Sequence, residues 1–276
     1  MKDFEISING MNIITNKDET IFEAASKLNI EIPNFCNDFN LKAQGACRIC
    51  AVEMVGKEML VTSCDTKVEE GMEILTESKK LSSYRKTLLE LIWANHEMRC
   101  MTCEALGECK LQIYSKKYDV EIERFKGIKK VRKLDESHKY FYIDQSKCID
   151  CGKCIHICKD YRKIAAITKM GRGFEISIGN PFGIGSPMSP CDSCGICIDG
   201  CPTGAIAIKK LKKYRYWEVS KSKATCILCE KECRVELVTK DNQILEVRSL
   251  QGDERDILCS LGRFEFIRKN IYKGDD

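Results

Sequence analysis

No stretch of this chain approaches the roughly 18 consecutive apolar residues that a membrane span requires, so direct insertion is excluded and membrane contact is expected only through a partner. The opening residues, MKDFEISING, lack the apolar segment of a secretory leader, which points to the cytoplasm. Charge of either sign is also nearly balanced. A formal net charge of +4 is too small to argue for nucleic acid, although KGIKKVRK (126–133) and KKLKKYR (209–215) are locally basic. Those runs read as solvated faces or docking patches for an acidic partner. Phosphate-cradling loops and dinucleotide fingerprints are missing, and the carboxylates are scattered through polar segments, so no residue is assigned a catalytic role. The glycine-rich stretch 171–186 lacks the spacing of a phosphate loop and is expected to be a flexible connection.

Cysteine is the exception to this scarcity, with 19 residues. In a short secreted chain such a density would mean disulfides; in a long chain without a leader it means reduced thiols available to metals. The clearest pattern is Cys148, Cys151, Cys154, Cys158 and then Cys191, Cys194, Cys197, Cys201, followed by Pro202. Each half is C-x2-C-x2-C-x3-C, in which three thiolates wrap one cubane and the fourth reaches the other. One 4Fe-4S cluster is therefore assigned to Cys148, Cys151, Cys154 and Cys201, and a second to Cys158, Cys191, Cys194 and Cys197. Zinc is the alternative, but its ligands usually come as two separated pairs. Cys158 is followed by Lys159 instead of proline, and 32 residues separate the halves, a long insertion for a ferredoxin-like unit.

Near the N-terminus, Cys36, Cys47, Cys50 and Cys64 have C-x10-C-x2-C-x13-C spacing, which suits a 2Fe-2S rhomb held by loops of a small sheet, with zinc as the rival. Near the C-terminus, Cys226, Cys229 and Cys233 with the remote Cys259 suit a further 4Fe-4S cluster, again with zinc as the rival. These groups use all the cysteines except Cys100, Cys103 and Cys109. Three thiolates make an incomplete site, and His96 is the nearest residue able to complete it. With His96 included, five four-ligand sites are filled and no ligand is left over. An imidazole in place of a thiolate should set that cluster's potential apart from its neighbours'. The other two histidines, His138 and His156, have no site to complete and are expected at the surface.

The local patterns around these ligands divide the chain. FEISI and MNIIT flank Asn9-Gly10, a hairpin signal, and ETIFEAASKL has helical spacing. CAVEMV and MLVTSC read as a strand pair around Gly56-Lys57. SKKLSSYRKTLLELIWAN is expected to be a helix whose stripe carries Leu81, Tyr84, Leu88, Leu91 and Ile92. VELVTKDNQILEV reads as a hairpin turning at Asp241-Asn242. The expected domains are 1–78, 79–120, 138–212 and 218–276, within an α+β class overall.

GACRICAVEM together with HEMRCMTCEALGECKLQ resembles the start of the large iron-sulfur subunit of respiratory complex I. The same arrangement occurs in NAD-dependent formate dehydrogenase alpha subunits, multimeric iron-only hydrogenases and the diaphorase-linked subunit of NAD-reducing nickel-iron hydrogenases. The resemblance implies a beta-grasp 2Fe-2S ferredoxin domain, then a helical domain with one histidine and three cysteines as ligands, in which His96, Cys100, Cys103 and Cys109 bind a 4Fe-4S cluster. CILCEKEC followed by ILCSLGRFEFI is similar to the cluster-binding entry of molybdopterin oxidoreductases, which implies a small C-terminal 4Fe-4S domain of that type. The molybdopterin domains themselves do not follow in this sequence.

The expected function is therefore electron transfer through one 2Fe-2S and four 4Fe-4S clusters. Such a chain would join a flavin-containing NAD(P)H-oxidising subunit to a separate catalytic oxidoreductase subunit, with soluble ferredoxin and electron bifurcation as further options. The alternatives are the cluster-bearing part of a split formate dehydrogenase or hydrogenase chain, and a redox sensor or zinc-rich binding module.

Overall fold

The computed structural model describes residues 3–37, 41–126, 129, 134–209, 214–250, 257–265 and 272–274, so most of both basic runs lies outside the described residues. The chain forms two compact units. Unit 1 contains Met1–Asp38, Lys42–Asn95 and Leu111–Ile128; unit 2 contains Phe39–Leu41, His96–Lys110 and Lys129–Asp276.

Unit 1 starts with β1 (Asp3–Ile8) and β2 (Met11–Asn16), antiparallel with Ile8 opposite Met11. Asn9 and Gly10 both take positive φ (54° and 80°), as the expected tight hairpin turn demands. In α1 (Ile21–Lys27) the Thr20 hydroxyl accepts from the Glu23 N–H at 3.2 Å while the Glu23 carboxylate accepts from the Thr20 N–H at 2.7 Å. This reciprocal cap fixes where the helix begins. The strands β3 (Ala51–Met54), β4 (Val61–Thr62) and β5 (Glu73–Leu75) complete a sheet of order β2-β1-β5-β3-β4. Its closing pair, β1 with β5, is parallel. Ile6, Ile8, Ile21, Ala24, Ala25, Val52 and Ile74 fill the core between sheet and helix, and Cys50 and Cys64 belong to the same cluster.

The expected helix is present as α2 (Lys79–Asn95), but with a different buried face. Leu81, Arg85, Leu89, Glu90 and Trp93 are buried, whereas Leu91 is 47% exposed. The apolar pattern misleads here because two charged side chains are satisfied inside. Arg85 donates from Nε to the Ile49 carbonyl (3.2 Å), from Nη2 to the Ala51 carbonyl (2.8 Å) and from Nη1 to the Tyr118 hydroxyl (3.0 Å). Glu90 accepts from Arg124 at 2.8 Å. A buried charge surrounded by such partners costs far less than a bare one. Trp93 Nε1 donates to Ser115 Oγ (2.7 Å) on α3 (Lys110–Lys117), which fixes that helix against α2.

In unit 2, β6 (Leu134–Asp135) and β7 (Phe141–Asp144) precede the first cysteine repeat and its short helix α4 (Lys153–His156). The strands β8 (Thr168–Met170) and β9 (Ser177–Gly179) pair antiparallel, and α5 (Ile196–Gly200) carries the second repeat. β10 (Ile206–Ile208) returns beside β7 to give the order β10-β7-β6. The two repeats share a backbone device: Asp150 and Ser193 (φ 53° and 62°) and then Gly152 and Gly195 (φ 75° and 73°) are all left-handed. The alternation curls each cysteine loop before its helix starts.

The glycine-rich stretch at 171–186 is ordered, contrary to the expected flexible connection. β9 lies within it, Ile184 is fully buried, and the Ile178 N–H donates to Gln145 Oε1 at 3.1 Å. Its isoleucines decide this, because they complete the core formed by Phe141, Ile143, Ile167 and Ile206.

The last part of unit 2 is a four-stranded antiparallel sheet of β11 (Ser220–Cys226), β12 (Arg234–Lys240), β13 (Gln243–Ser249) and β14 (Tyr272–Gly274), ordered β13-β12-β11-β14. Asp241 and Asn242 form the expected turn, both with positive φ. α6 (Ser260–Phe264) starts at Cys259, whose sulfur accepts the Gly262 N–H at 3.4 Å. No helix among the described residues is long and apolar enough to cross a membrane.

Candidate metal centres

In unit 1 the four N-terminal cysteines form two close pairs. Cys36 Sγ and Cys47 Sγ are 3.3 Å apart, and Cys50 Sγ and Cys64 Sγ are 3.5 Å apart. Two pairs are what a 2Fe-2S rhomb needs, since each of its irons takes two thiolates. The sharing of a proton within each pair dominates the acidities: Cys47 is lowered to about 6 and Cys50 is also lowered, while their partners Cys36 and Cys64 are raised. Arg85 bonds the carbonyls of Ile49 and Ala51, one on each side of Cys50, and so braces this loop from beneath.

In unit 2 each cysteine repeat lies beside the last cysteine of the other. The buried Cys154 thiol is raised well above its ordinary range, first by desolvation and then by the charges of Cys151, Cys201 and Cys148. Cys197 is raised by desolvation and then by Cys194, Cys191 and Cys158. Cys201 thus stands with the first repeat and Cys158 with the second. A cavity among Phe141, Ile157, Ile164 and Ile167 is lined by Cys158, Cys191, Cys194 and Cys197 together. Cys154 also feels the charge of Cys197, so the two sets adjoin. At the C-terminal set, desolvation and the charges of Cys226, Cys229 and Cys259 raise Cys233.

A recurrent hydrogen bond suits these thiols to carry charge. The N–H two residues on donates to the sulfur of Cys47, Cys103, Cys148, Cys191, Cys194 and Cys226. For Cys148 the donor is the Asp150 N–H at 3.4 Å. Cys158 receives the Ala166 N–H at 3.1 Å instead. Such N–H···S bonds stabilise thiolates and tune the potential of a bound cluster. Among the described residues, no three or more His, Cys, Asp and Glu side chains are placed to hold a single metal ion. The paired thiols of the N-terminal set and the N–H···S bonds are donor chemistry that fits iron-sulfur clusters.

The segment containing His96, Cys100, Cys103 and Cys109 lies in unit 2, with His96 and Cys109 both buried. Cys103 is raised by desolvation and by the charge of Cys100. Burial, with Lys129 and Lys147 nearby, lowers His96 to about 4, so its ring is the neutral imidazole that metals bind. Two bonds tie the segment to residues flanking the two repeats: Glu97 N–H to the carbonyl of Ser146, just before the first, and Lys110 N–H to the carbonyl of Pro202, just after the second (both 3.0 Å). Gly204 fits directly against it, since a Cβ there would stand 2.8 Å from Cys103 Sγ.

His138 is not a surface residue. It is 4% exposed, and its ring lies 3.8 Å from that of Phe141. The Tyr140 N–H donates to Nδ1 (3.1 Å), which leaves the proton on Nε2 to donate to Ser193 Oγ (3.0 Å), with Cys191 Sγ at 4.0 Å. Ligand counting missed it because it supplies packing and a second hydrogen bond instead of a ligand. His156 is partly exposed and pairs with Asp160 at 2.8 Å.

Comparison with known proteins agrees with this chemistry. Residues 2–79 match the 2Fe-2S iron-sulfur cluster binding domain, and residues 85–124 match the NADH-ubiquinone oxidoreductase-G iron-sulfur binding region. The NADPH-Fe(3+) oxidoreductase subunit alpha of Geobacter sulfurreducens is 32% identical over 263 residues, which is 95% of this chain and 31% of the relative. The G 2 subunit of NADH-quinone oxidoreductase from Rhizobium meliloti is 28% identical over 265 residues, 94% of this chain and 31% of the relative. The NADP-reducing hydrogenase subunit HndD of Solidesulfovibrio fructosivorans is 30% identical over 221 residues, 78% of this chain and 37% of the relative. The chain thus spans about a third of the length of these relatives. A chain from the crystal structure of an NAD+-reducing [NiFe]-hydrogenase in its H2-reduced state superposes with a TM-score of 0.69 at 25% identity, covering 77% of this chain and 90% of that one.

Proposed function

We propose that this iron-sulfur chain is an electron conduit carrying one 2Fe-2S cluster on Cys36, Cys47, Cys50 and Cys64 and four 4Fe-4S clusters. The four are held by His96, Cys100, Cys103 and Cys109; by Cys148, Cys151, Cys154 and Cys201; by Cys158, Cys191, Cys194 and Cys197; and by Cys226, Cys229, Cys233 and Cys259. On this reading unit 1 is a beta-grasp ferredoxin, and unit 2 joins the His96 segment, a double ferredoxin and a molybdopterin-oxidoreductase-type cluster domain. The clusters supply one-electron chemistry, while the chain fixes their spacing, excludes water and donates N–H···S bonds.

The observation that carries the reading is the adjacency of the sets in unit 2. Gly204 meets Cys103 and lies three residues after Cys201; Cys154 feels Cys197; and Arg263, four residues after Cys259, feels Cys197. Four sites in series suit a wire. The names of the relatives, NADPH-Fe(3+) oxidoreductase, NADH-quinone oxidoreductase and NADP-reducing hydrogenase, support an NAD(P)H-linked oxidoreductase complex, and the partners proposed within it are a flavin-containing NAD(P)H-oxidising subunit at one end and a separate catalytic oxidoreductase subunit at the other. In anaerobic reconstitution with that flavin subunit, NAD(P)H is expected to bleach the visible absorption of the clusters; no bleaching in an assembled complex would reject the conduit.

Three substitutions at two positions test the first segment of the wire. His96→Cys should retain a cluster at a shifted potential, and His96→Ala should impair that site alone; unchanged spectra in both would remove His96 from the ligand set. Gly204→Ala should cost about 1–3 kcal/mol through overpacking against Cys103 and alter the EPR signal of the His96 site. A wild-type signal and melting curve would show that this contact yields freely.

A further inference from the structure

We infer that Arg263 and Asp199 form a buried electrostatic joint that sets the potential of the cluster site at Cys158, Cys191, Cys194 and Cys197 and locks the C-terminal cluster domain onto it. The inference rests on the proposed ligand sets and adds a role for two residues outside them.

Arg263 is the last residue but one of α6, the helix that Cys259 starts, and its side chain has no solvent exposure. Its partner, Asp199, lies in α5 between Cys197 and Cys201, with 7% of its side chain exposed. The guanidinium meets the carboxylate with two nitrogens, Nη1 to Oδ2 at 2.9 Å and Nη2 to Oδ1. Nη1 also lies 3.4 Å from Ser249 Oγ on β13, and the Ser249 N–H donates to Asp199 Oδ2 at 3.1 Å. The joint thus spans three elements: α5 of the double ferredoxin, and α6 and β13 of the C-terminal domain.

The pair is asymmetric towards the thiols. Its cationic end faces the second repeat: the Arg263 side chain occupies the space where a Cβ on Gly195 would stand, and Gly195 follows Cys194 directly. Cys197 and Arg263 feel each other's charge. Reduction adds a negative charge to a cluster, and a fixed cation nearby favours that state. Burial strengthens the effect because solvent does not screen it. Arginine suits the position because it stays charged when buried and matches a carboxylate with a planar fork.

A clamp without electrostatic influence and an electrostatic joint predict different results. Anaerobic EPR redox titration of the fully loaded chain measures the potential of this one site, identified as the signal that Cys191→Ser removes. Arg263→Gln should lower that potential and Asp199→Asn should raise it, with Arg263→Lys returning most of the way to wild type. Potentials of the other clusters should move less. Shifts of the same sign in Arg263→Gln and Asp199→Asn, or no shift in either, would overturn the joint. Should Arg263→Gln fail to assemble, Asp199→Asn and Arg263→Lys both keep a cation in place and still decide the question: an unmoved potential in Asp199→Asn overturns the inference. Limited proteolysis checks the mechanical part, with cleavage between the double ferredoxin and β11 expected to quicken in Arg263→Gln; an unchanged rate overturns the lock. Iron and sulfide are counted first. A wild-type chain lacking its clusters would defeat the conduit reading itself, whereas full clusters with unmoved potentials defeat only the joint.

Discussion

Removing the iron anaerobically with a chelator should unfold unit 2 while much of unit 1 stays folded. The reason lies in what the two cores are made of. Unit 1 has a five-stranded sheet, a capped helix and a continuous aliphatic core, to which Cys50 and Cys64 contribute only part. Unit 2 divides its apolar residues among small clusters. In one of them Cys154 and Cys197 are themselves core residues, with Cys148, Cys158, Cys191 and Cys201 packed against it; in another Cys226 and Cys233 are core residues. Small cores of this kind rarely suffice without a staple, and binding of a structural metal can contribute about 10–16 kcal/mol to folding. On the proposed cluster content the fully loaded chain should hold about 18 irons, two in a rhomb and sixteen in four cubanes. Hydrogen exchange on holo and iron-free protein gives the measurement. Protection should collapse at β7, β10 and β12 and persist at β1 and α1; equal protection in both units after iron removal would contradict the argument.

Arg85→Ala should be the most damaging single substitution in unit 1 outside the cysteines, at about 3–5 kcal/mol, the usual cost of breaking a buried charged network. Its guanidinium is fully buried, and its loss would strand the carbonyls of Ile49 and Ala51 and open a cavity beneath the loop that carries Cys47 and Cys50. Arg85→Met would refill most of the volume but leave the carbonyls unpaired, and Arg85→Lys would keep a charge without the fork that reaches two carbonyls, the Tyr118 hydroxyl and the Glu77 carboxylate. The order of stability should therefore be wild type, then Lys and Met, then Ala, read from urea denaturation of the holo-protein. The visible spectrum of the 2Fe-2S site should fade earliest in the Ala variant. A loss below about 1 kcal/mol, in the range of an ordinary surface change, would show that water replaces the guanidinium.

The sequence announced local features well. Asn9-Gly10 and Asp241-Asn242 form turns because the backbone there needs residues that tolerate positive φ, and that tolerance is visible in the letters. The nearness of Cys158 to the second repeat and of Cys201 to the first was legible because the spacing of a cysteine loop limits which thiols can come together. What stayed hidden depends on partners distant in sequence. The parallel pairing of β1 with β5 joins Ser7 to Glu73, and no local period encodes it. The face of α2 was misread because Arg85 and Glu90 count as polar in any pattern yet are buried by specific acceptors and donors. His138 looked idle for the same reason, since its role comes from Tyr140 and Ser193 and not from a vacant ligand position. Arg263 carried no signal at all until Asp199 was placed beside it.

The proposed crossing of cysteines between the repeats also implies an order of manufacture. On the proposed assignment neither repeat alone supplies all four ligands of one cluster, so a ribosome making this chain exposes Cys148, Cys151, Cys154 and Cys158 long before any of them has all its companions. The set of Cys158 closes when Cys197 emerges, and the set of Cys148 closes at Cys201, only four residues later. Delivery of iron and sulfide to these two places would thus be deferred until residues 197–201 have emerged, and until then the waiting thiols of the first repeat would need protection from oxygen and stray metals.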